Sequence, residues 1–155
     1  MSDARFEDGG EQPLRLTAAT ADDLAVISAL AQDAVCKVER VQWMARRRRF
    51  AMLLYRFRWE DRADAEKEKR TYERVASAFT IDDVSVVKSH GISATDRDAV
   101  FNVLSIGFTP AEDGAGVLTI ECSGNAAFAL DVECLNVSLV DLTRPWSAGG
   151  RPDHS

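Results

Sequence analysis

Apolar residues recur along this chain at two periods, and the shorter one dominates. Leu24, Ile27, Leu30, Ala31 and Ala34 fall at helical spacing, forming one stripe over about three turns. Thr20, just ahead of them, offers an N-cap hydroxyl, and Asp22 and Asp23 place negative charge in the first turn, where backbone N–H groups lack partners. This pattern predicts one helix over residues 21–33.

Elsewhere the period is two, the mark of strands with one face buried. A short alternating segment at 14–16 predicts a first strand, and β-branched and aromatic residues predict another over 36–44. A turn at 45–48 follows, without the glycine or asparagine that a tight hairpin prefers. From 49 to 59 the odd positions Ala51, Leu53, Tyr55, Phe57 and Trp59 are apolar. The even positions change from Phe50, Met52 and Leu54 to Arg56 and Arg58. This predicts a long strand, buried on both faces at its start and on the odd face at its end, with Arg56 and Arg58 in solvent.

Residues 60–70 are almost all charged and predict a solvated loop or short exposed helix. Alternation returns with Val75, Ser77, Phe79 and Ile81 on one face, breaks at Asp82-Asp83, and resumes over 84–88. Val100 to Phe108 read as a strand buried on both faces. Pro110, Gly114 and Gly116 mark a loop. Leu118, Ile120 and Cys122 then share a face, and Gly124-Asn125 predicts a two-residue hairpin turn. Phe128, Leu130, Val132 and Cys134 point inward on the returning strand, after which Leu135, Val137 and Leu139 take over. A phase slip at Cys134-Leu135 predicts a bulge or bend.

Eight or nine strands and one N-terminal helix, without βαβ alternation, place the chain in the α+β class. The sheet is expected to be mostly antiparallel, packed as a sandwich or a partly open barrel, with a pleckstrin-homology-like barrel as one candidate. Residues 13–146 read as a single globular domain between a disordered tail at 1–12 and a second tail at 147–155.

Charge adds a second layer. The chain of 155 residues carries a formal charge of −6, yet residues 37–62 alone carry +6. A basic, aromatic hairpin thus lies within an acidic domain. Arg46, Arg47, Arg48, Arg49, Arg56 and Arg58 form the sharpest candidate site. Guanidinium groups grip phosphates and carboxylates in a bidentate fork, and Trp43, Tyr55 and Trp59 lie close by in sequence. An acidic protein or a phosphorylated ligand would suit such a surface. The competing reading is a solvated face whose arginines pair with the chain's own surplus acids.

Other chemistry is thin. Three cysteines, Cys36, Cys122 and Cys134, have no zinc-motif spacing and suit reduced thiols in a cytoplasmic protein. His90 beside Gly91 reads as a loop residue. Glu121, Asp131, Glu133 and Asp141 alternate with apolar residues and are expected on solvent faces. No phosphate loop, nucleophile elbow or zincin motif is present, so neither a catalytic residue nor a metal or cofactor site is assigned. No apolar run reaches the length of a membrane span, and the polar, acidic first residues do not resemble a secretory signal. A binding or adaptor module is the leading expectation, and a structural, homo-oligomerising domain the alternative.

Several stretches, in order, carry a resemblance: DLAVISALAQDAV at 23–35, RRF at 48–50, RFRWE at 56–60, and DVEC, LVDL and RPW between 131 and 146. Together they resemble an uncharacterised bacterial domain-of-unknown-function family of short, soluble, single-domain proteins. The resemblance spans nearly the whole chain apart from its tails and implies no activity, ligand or catalytic residue.

Overall fold

The computed structural model describes residues 13–58, 73–142 and 146–147. The tail expected at 1–12, the charged segment at 60–70 and Trp59 lie outside them, as does the tail expected at 147–155 apart from Ser147, which ends a short strand. Strand β1 (Arg15–Ala18) leads into helix α1 (Ala21–Ala31). The Thr20 hydroxyl accepts the Asp23 N–H at 3.1 Å, the N-cap bond that its position predicts. Leu24, Ile27 and Ala31 are buried, and the helix packs chiefly on β7 (Val100–Pro110) and secondarily on β1 and on β4 (Arg49–Phe57).

The single strand expected over 36–44 is two, β2 (Val35–Lys37) and β3 (Val41–Met44), separated by a 3-10 turn at Val38–Arg40. That interruption lets one stretch serve two neighbours. β2 joins β4 to β7, while β3 runs along β4 alone. The remaining strands are β5 (Glu73–Ile81), β6 (Val84–His90), β8 (Gly116–Cys122), β9 (Ala127–Val132), β10 (Val137–Asp141) and the two-residue β11 (Trp146–Ser147).

All pairings are antiparallel, in the order β1-β10-β5-β4-β2-β7-β8-β9-β6, with β3 on β4 and β11 on β5. The path is open, since β1 and β6 do not pair. It nevertheless turns back on itself, because Asp82 and Asp83 alone connect β5, third in the order, to β6, the last. Three backbone bonds fasten the seam: Val84 N–H to Arg48 C=O at 3.0 Å, Asp82 N–H to Asn136 C=O at 2.9 Å, and Glu133 N–H to Asp83 C=O at 3.0 Å. The two halves therefore share one core. Phe50 of β4 meets Phe128 of β9 with ring centroids 5.3 Å apart and planes at 57°, a tilted contact of the favoured kind. This is an α+β fold with an open antiparallel sheet and one N-terminal helix.

The alternations expected on β5, β8 and β9 are those observed, with Val75, Ser77, Phe79 and Ile81 all buried on one face. Gly124 and Asn125 both adopt positive φ, as a two-residue hairpin turn requires. The slip after Val132 is a bend that carries the chain from β8's side of the molecule to β5's, and it leaves Cys134 exposed rather than inward. β7 also departs from expectation. Its register shifts between Val103 and Ser105, so Leu104 faces solvent, and the buried set moves from Phe101 and Val103 to Ile106. The Ser28 hydroxyl of α1 takes up the Ile106 N–H beyond this bulge at 2.9 Å.

Gly116 begins β8 where the sheet is tightest. A methyl group there would stand 2.4 Å from the Thr109 carbonyl oxygen and 2.6 Å from the Phe108 ring. Backbone and ring cannot both retreat, so Gly116→Ala is expected to lower stability by about 1–3 kcal/mol, measurable as a reduced urea midpoint.

Candidate functional site

Phe50, Met52 and Leu54 occupy the inward phase of β4, and the strand runs nine residues without a bulge. Arg56 keeps that phase. The even face, expected to end in solvent, is therefore the buried one, and it carries Arg56 (0% exposed) and then Arg58 (5%) inside. The odd face is half-buried instead, and Arg74 lies over the Phe57 ring at 4.3 Å.

A buried guanidinium needs a counter-charge and hydrogen bonds, and β10 and β5 supply both. Asp141 stands opposite Ser77 in the β10–β5 ladder. It too is buried (7%) rather than on the solvent face expected for it. Arg56 donates from Nε to Asp141 Oδ1 at 3.2 Å, and from Nη2 to Oδ1 and Oδ2 at 3.1 Å each. Its Nη1 reaches the Phe57 carbonyl at 3.0 Å. The Ser77 hydroxyl donates to Oδ1 at 2.7 Å and accepts from Arg56 Nε at 3.2 Å. Leu14 N–H completes the set on Oδ2 at 3.0 Å. Among the described residues, four segments of chain thus partner the two ions, and the cluster lies inside the fold rather than on its surface.

The other four arginines lie at the β3–β4 turn, a 3-10 turn over Ala45–Arg47. In place of the missing glycine, Arg48 itself adopts the left-handed region, at φ 56° and ψ 40°, uncommon for a side chain of this kind. Two arginines are engaged. Arg48 pairs with Glu133, and Arg49 donates from Nε to Asp82 Oδ1 at 2.7 Å. Those carboxylates hold both guanidinium groups still more firmly protonated than usual. Arg46 and Arg47 remain exposed at the tip, without an ion-pair or hydrogen-bond partner among the described residues. The structure thus divides the six arginines: two presented, two paired at the turn, and two in the core.

Behind the turn, Asp83 is the organising acid. Also left-handed, at φ 62°, it accepts the Asn136 amide at 3.1 Å and the Cys134 thiol at 3.2 Å. These bonds favour its ionised form and lower its pKa, and the carboxylate in turn raises that of Cys134. Cys36 and Cys122 are buried, and desolvation pushes each thiol up to about 12, so neither is a nucleophile at neutral pH.

Two hollows lie elsewhere among the described residues. A cleft of about 310 Å³ lies between Val38, Ile92, Asp96, Phe101 and Ser123, and a shallow depression of about 210 Å³ lies beside β3, lined by Arg40, Gln42, Ala51 and Leu53 among others. His90 is exposed at the end of β6. Among the described residues, no three His, Cys, Asp or Glu side chains are placed to hold a metal ion. No helix there is long and apolar enough to cross a membrane.

Two outcomes follow from the charged clusters. Asp141→Ala strands the buried Arg56 and is expected to destabilise the fold by about 3–5 kcal/mol. Replacing both ions, as Arg56→Met with Asp141→Leu, recovers most of that loss, and denaturant titration separates the two results. Asp83, with its pKa below the ordinary 3.8, contributes stability that is present above the unfolded value and disappears as pH falls through the folded one. The gap between the parent and Asp83→Asn in thermal midpoint is therefore expected to narrow below about pH 4.

No curated protein and no solved structure matches the chain. Residues 14–154 match the model of the family described as "Protein of unknown function (DUF2948)". That match runs from β1 past β11 and includes both the buried pair and the basic turn. The chain belongs to this family of uncharacterised proteins.

Proposed function

We propose that this chain is a small binding or adaptor module that presents the β3–β4 turn as an anion- or partner-binding surface. The observation that carries this reading is the division of labour within the turn. Arg48 and Arg49 are tied to Glu133 and Asp82, and the Arg48 carbonyl accepts the Val84 N–H. The turn is pinned at its base on the seam between the two halves of the sheet, while Arg46 and Arg47 stand exposed at its tip. Pre-positioned cations lose less freedom on meeting an anion than cations on a loose loop. Arg56 and Arg58 support the strand behind the turn from inside the core.

An anion held this way is bound by charge-assisted hydrogen bonds, so its affinity falls as salt screens the exposed partners. Fluorescence anisotropy with a labelled acidic peptide and a labelled phosphopeptide tests the reading. At least one probe is expected to bind, and to weaken roughly tenfold or more in the double variant Arg46→Ala/Arg47→Ala. The thermal midpoint should stay where it is, because both side chains are exposed. Equal binding by parent and variant, or no binding of either probe at low salt, would overturn it.

A further inference from the structure

The strand leading into the basic turn has an unused side. β3 pairs with β4 along one edge and has no ladder partner on the other among the described residues. Just before it, the outer side is closed: Val38 N–H bonds the Ala99 carbonyl at 2.9 Å, and Glu39 N–H bonds the Arg97 carbonyl at 3.1 Å. The Val41 N–H turns back to the Val38 carbonyl, and the open edge runs from there through Gln42–Met44 to the arginines.

Open edges are templates for another strand, and proteins commonly blunt them with charge. Here the charge has one sign. Residues 37–47 hold Lys37, Arg40, Arg46 and Arg47 against Glu39 alone, and all four cations are exposed. Gln42 and Trp43 are exposed between them, Trp43 at 38%. A second copy of this edge would bring like charges together. An uncharged strand would gain nothing from the arginines. Long nucleic acid would meet a few cations on a molecule of net charge −6.

We propose that the outer edge of β3 takes up an extended acidic peptide as an added strand. This deepens the anion-binding reading above and rests on it. Main-chain hydrogen bonds to the outward-facing groups of Val41–Met44, other than the Val41 N–H that Val38 already takes, supply the register, and carboxylates along the peptide reach Arg40, Arg46 and Arg47. Trp43 shares the face of Phe50, its partner across the ladder, and Gln42 shares that of Ala51. An alternating peptide thus sets one row of side chains beside the indole. Its other row lies toward the depression lined by Arg40, Gln42, Ala51 and Leu53.

The test uses the full chain and four labelled probes: an alternating Glu–Val peptide, two versions of it N-methylated at every second residue in one or the other of the two possible sets, and an oligouridylate. N-methylation removes backbone donors and leaves the carboxylates unchanged. The unmodified peptide is expected to bind and to protect the outward-facing backbone amides within residues 42–44 from hydrogen exchange. One methylated set should bind at least tenfold more weakly, the other much less so. If both sets bind as tightly as the parent peptide, strand addition is wrong, while the charge reading survives provided Arg46→Ala/Arg47→Ala still weakens binding. If no acidic peptide binds, both fail. Tighter binding of the oligouridylate, or protection of 42–44 that rises with protein concentration alone, also overturns strand addition, in favour of nucleic acid or a second copy.

Discussion

Taking a guanidinium fully out of water costs several kcal/mol even after the protein relaxes around it, and this sheet carries one in the middle of its inner face. What makes Arg56 tolerable is that Asp141, Ser77, the Phe57 carbonyl and the Leu14 N–H together leave neither ion short of partners. The partners come from β4, β5, β10 and the start of β1. The pair therefore requires those four segments to lie in one register, since a one-residue slip of any strand would point its member away from the others. Apolar residues of similar volume commonly match such a pair in stability. What the ion pair adds is a single acceptable alignment.

The same economy of registers governs the other end of β4. The link between β5 and β6 is so short that the β3–β4 turn, the β9–β10 bend and the Asp82-Asp83 corner are forced together. Four pairs of opposite charge or hydrogen-bonding groups meet there: Arg48 with Glu133, Arg49 with Asp82, Asp83 with Asn136, and Asp83 with Cys134. Exposed pairs of this kind contribute little stability one by one. Their effect is directional. They use up the cations at the base of the turn and leave those at its tip for something else.

Alternation made much of this legible beforehand. Val75 to Ile81, Leu118 to Cys122 and Phe128 to Val132 each have one buried face, and period two finds it directly. Gly124-Asn125 was legible for a different reason, since few residues accept two successive positive φ values. Arg56 misled because hydropathy weighs a residue by its own transfer cost and ignores a partner 85 positions away. The clue was present in paired form: one arginine in the phase of Phe50, Met52 and Leu54, and one aspartate in the phase of Val137 and Leu139. The bulge at Leu104 and the turn at Val38–Arg40 were hidden because each depends on neighbours, α1 and the 97–99 loop, that sequence distance conceals. The open edge of β3 is likewise a property of topology, invisible until the strand order is known.

The long reach of the Arg56–Asp141 contact also bears on the order in which a newly made chain can finish folding. β4 and β5 emerge early and can pair, but their shared inner face then holds a cation whose counter-ion lies on the last full strand. Until β10 arrives, Arg56 lacks the Asp141 carboxylate, and β1 has no strand to pair with, because its ladder is with β10. Domains generally fold as units, and in this one the β1–β10 and β10–β5 ladders can form only once residue 141 has left the ribosome.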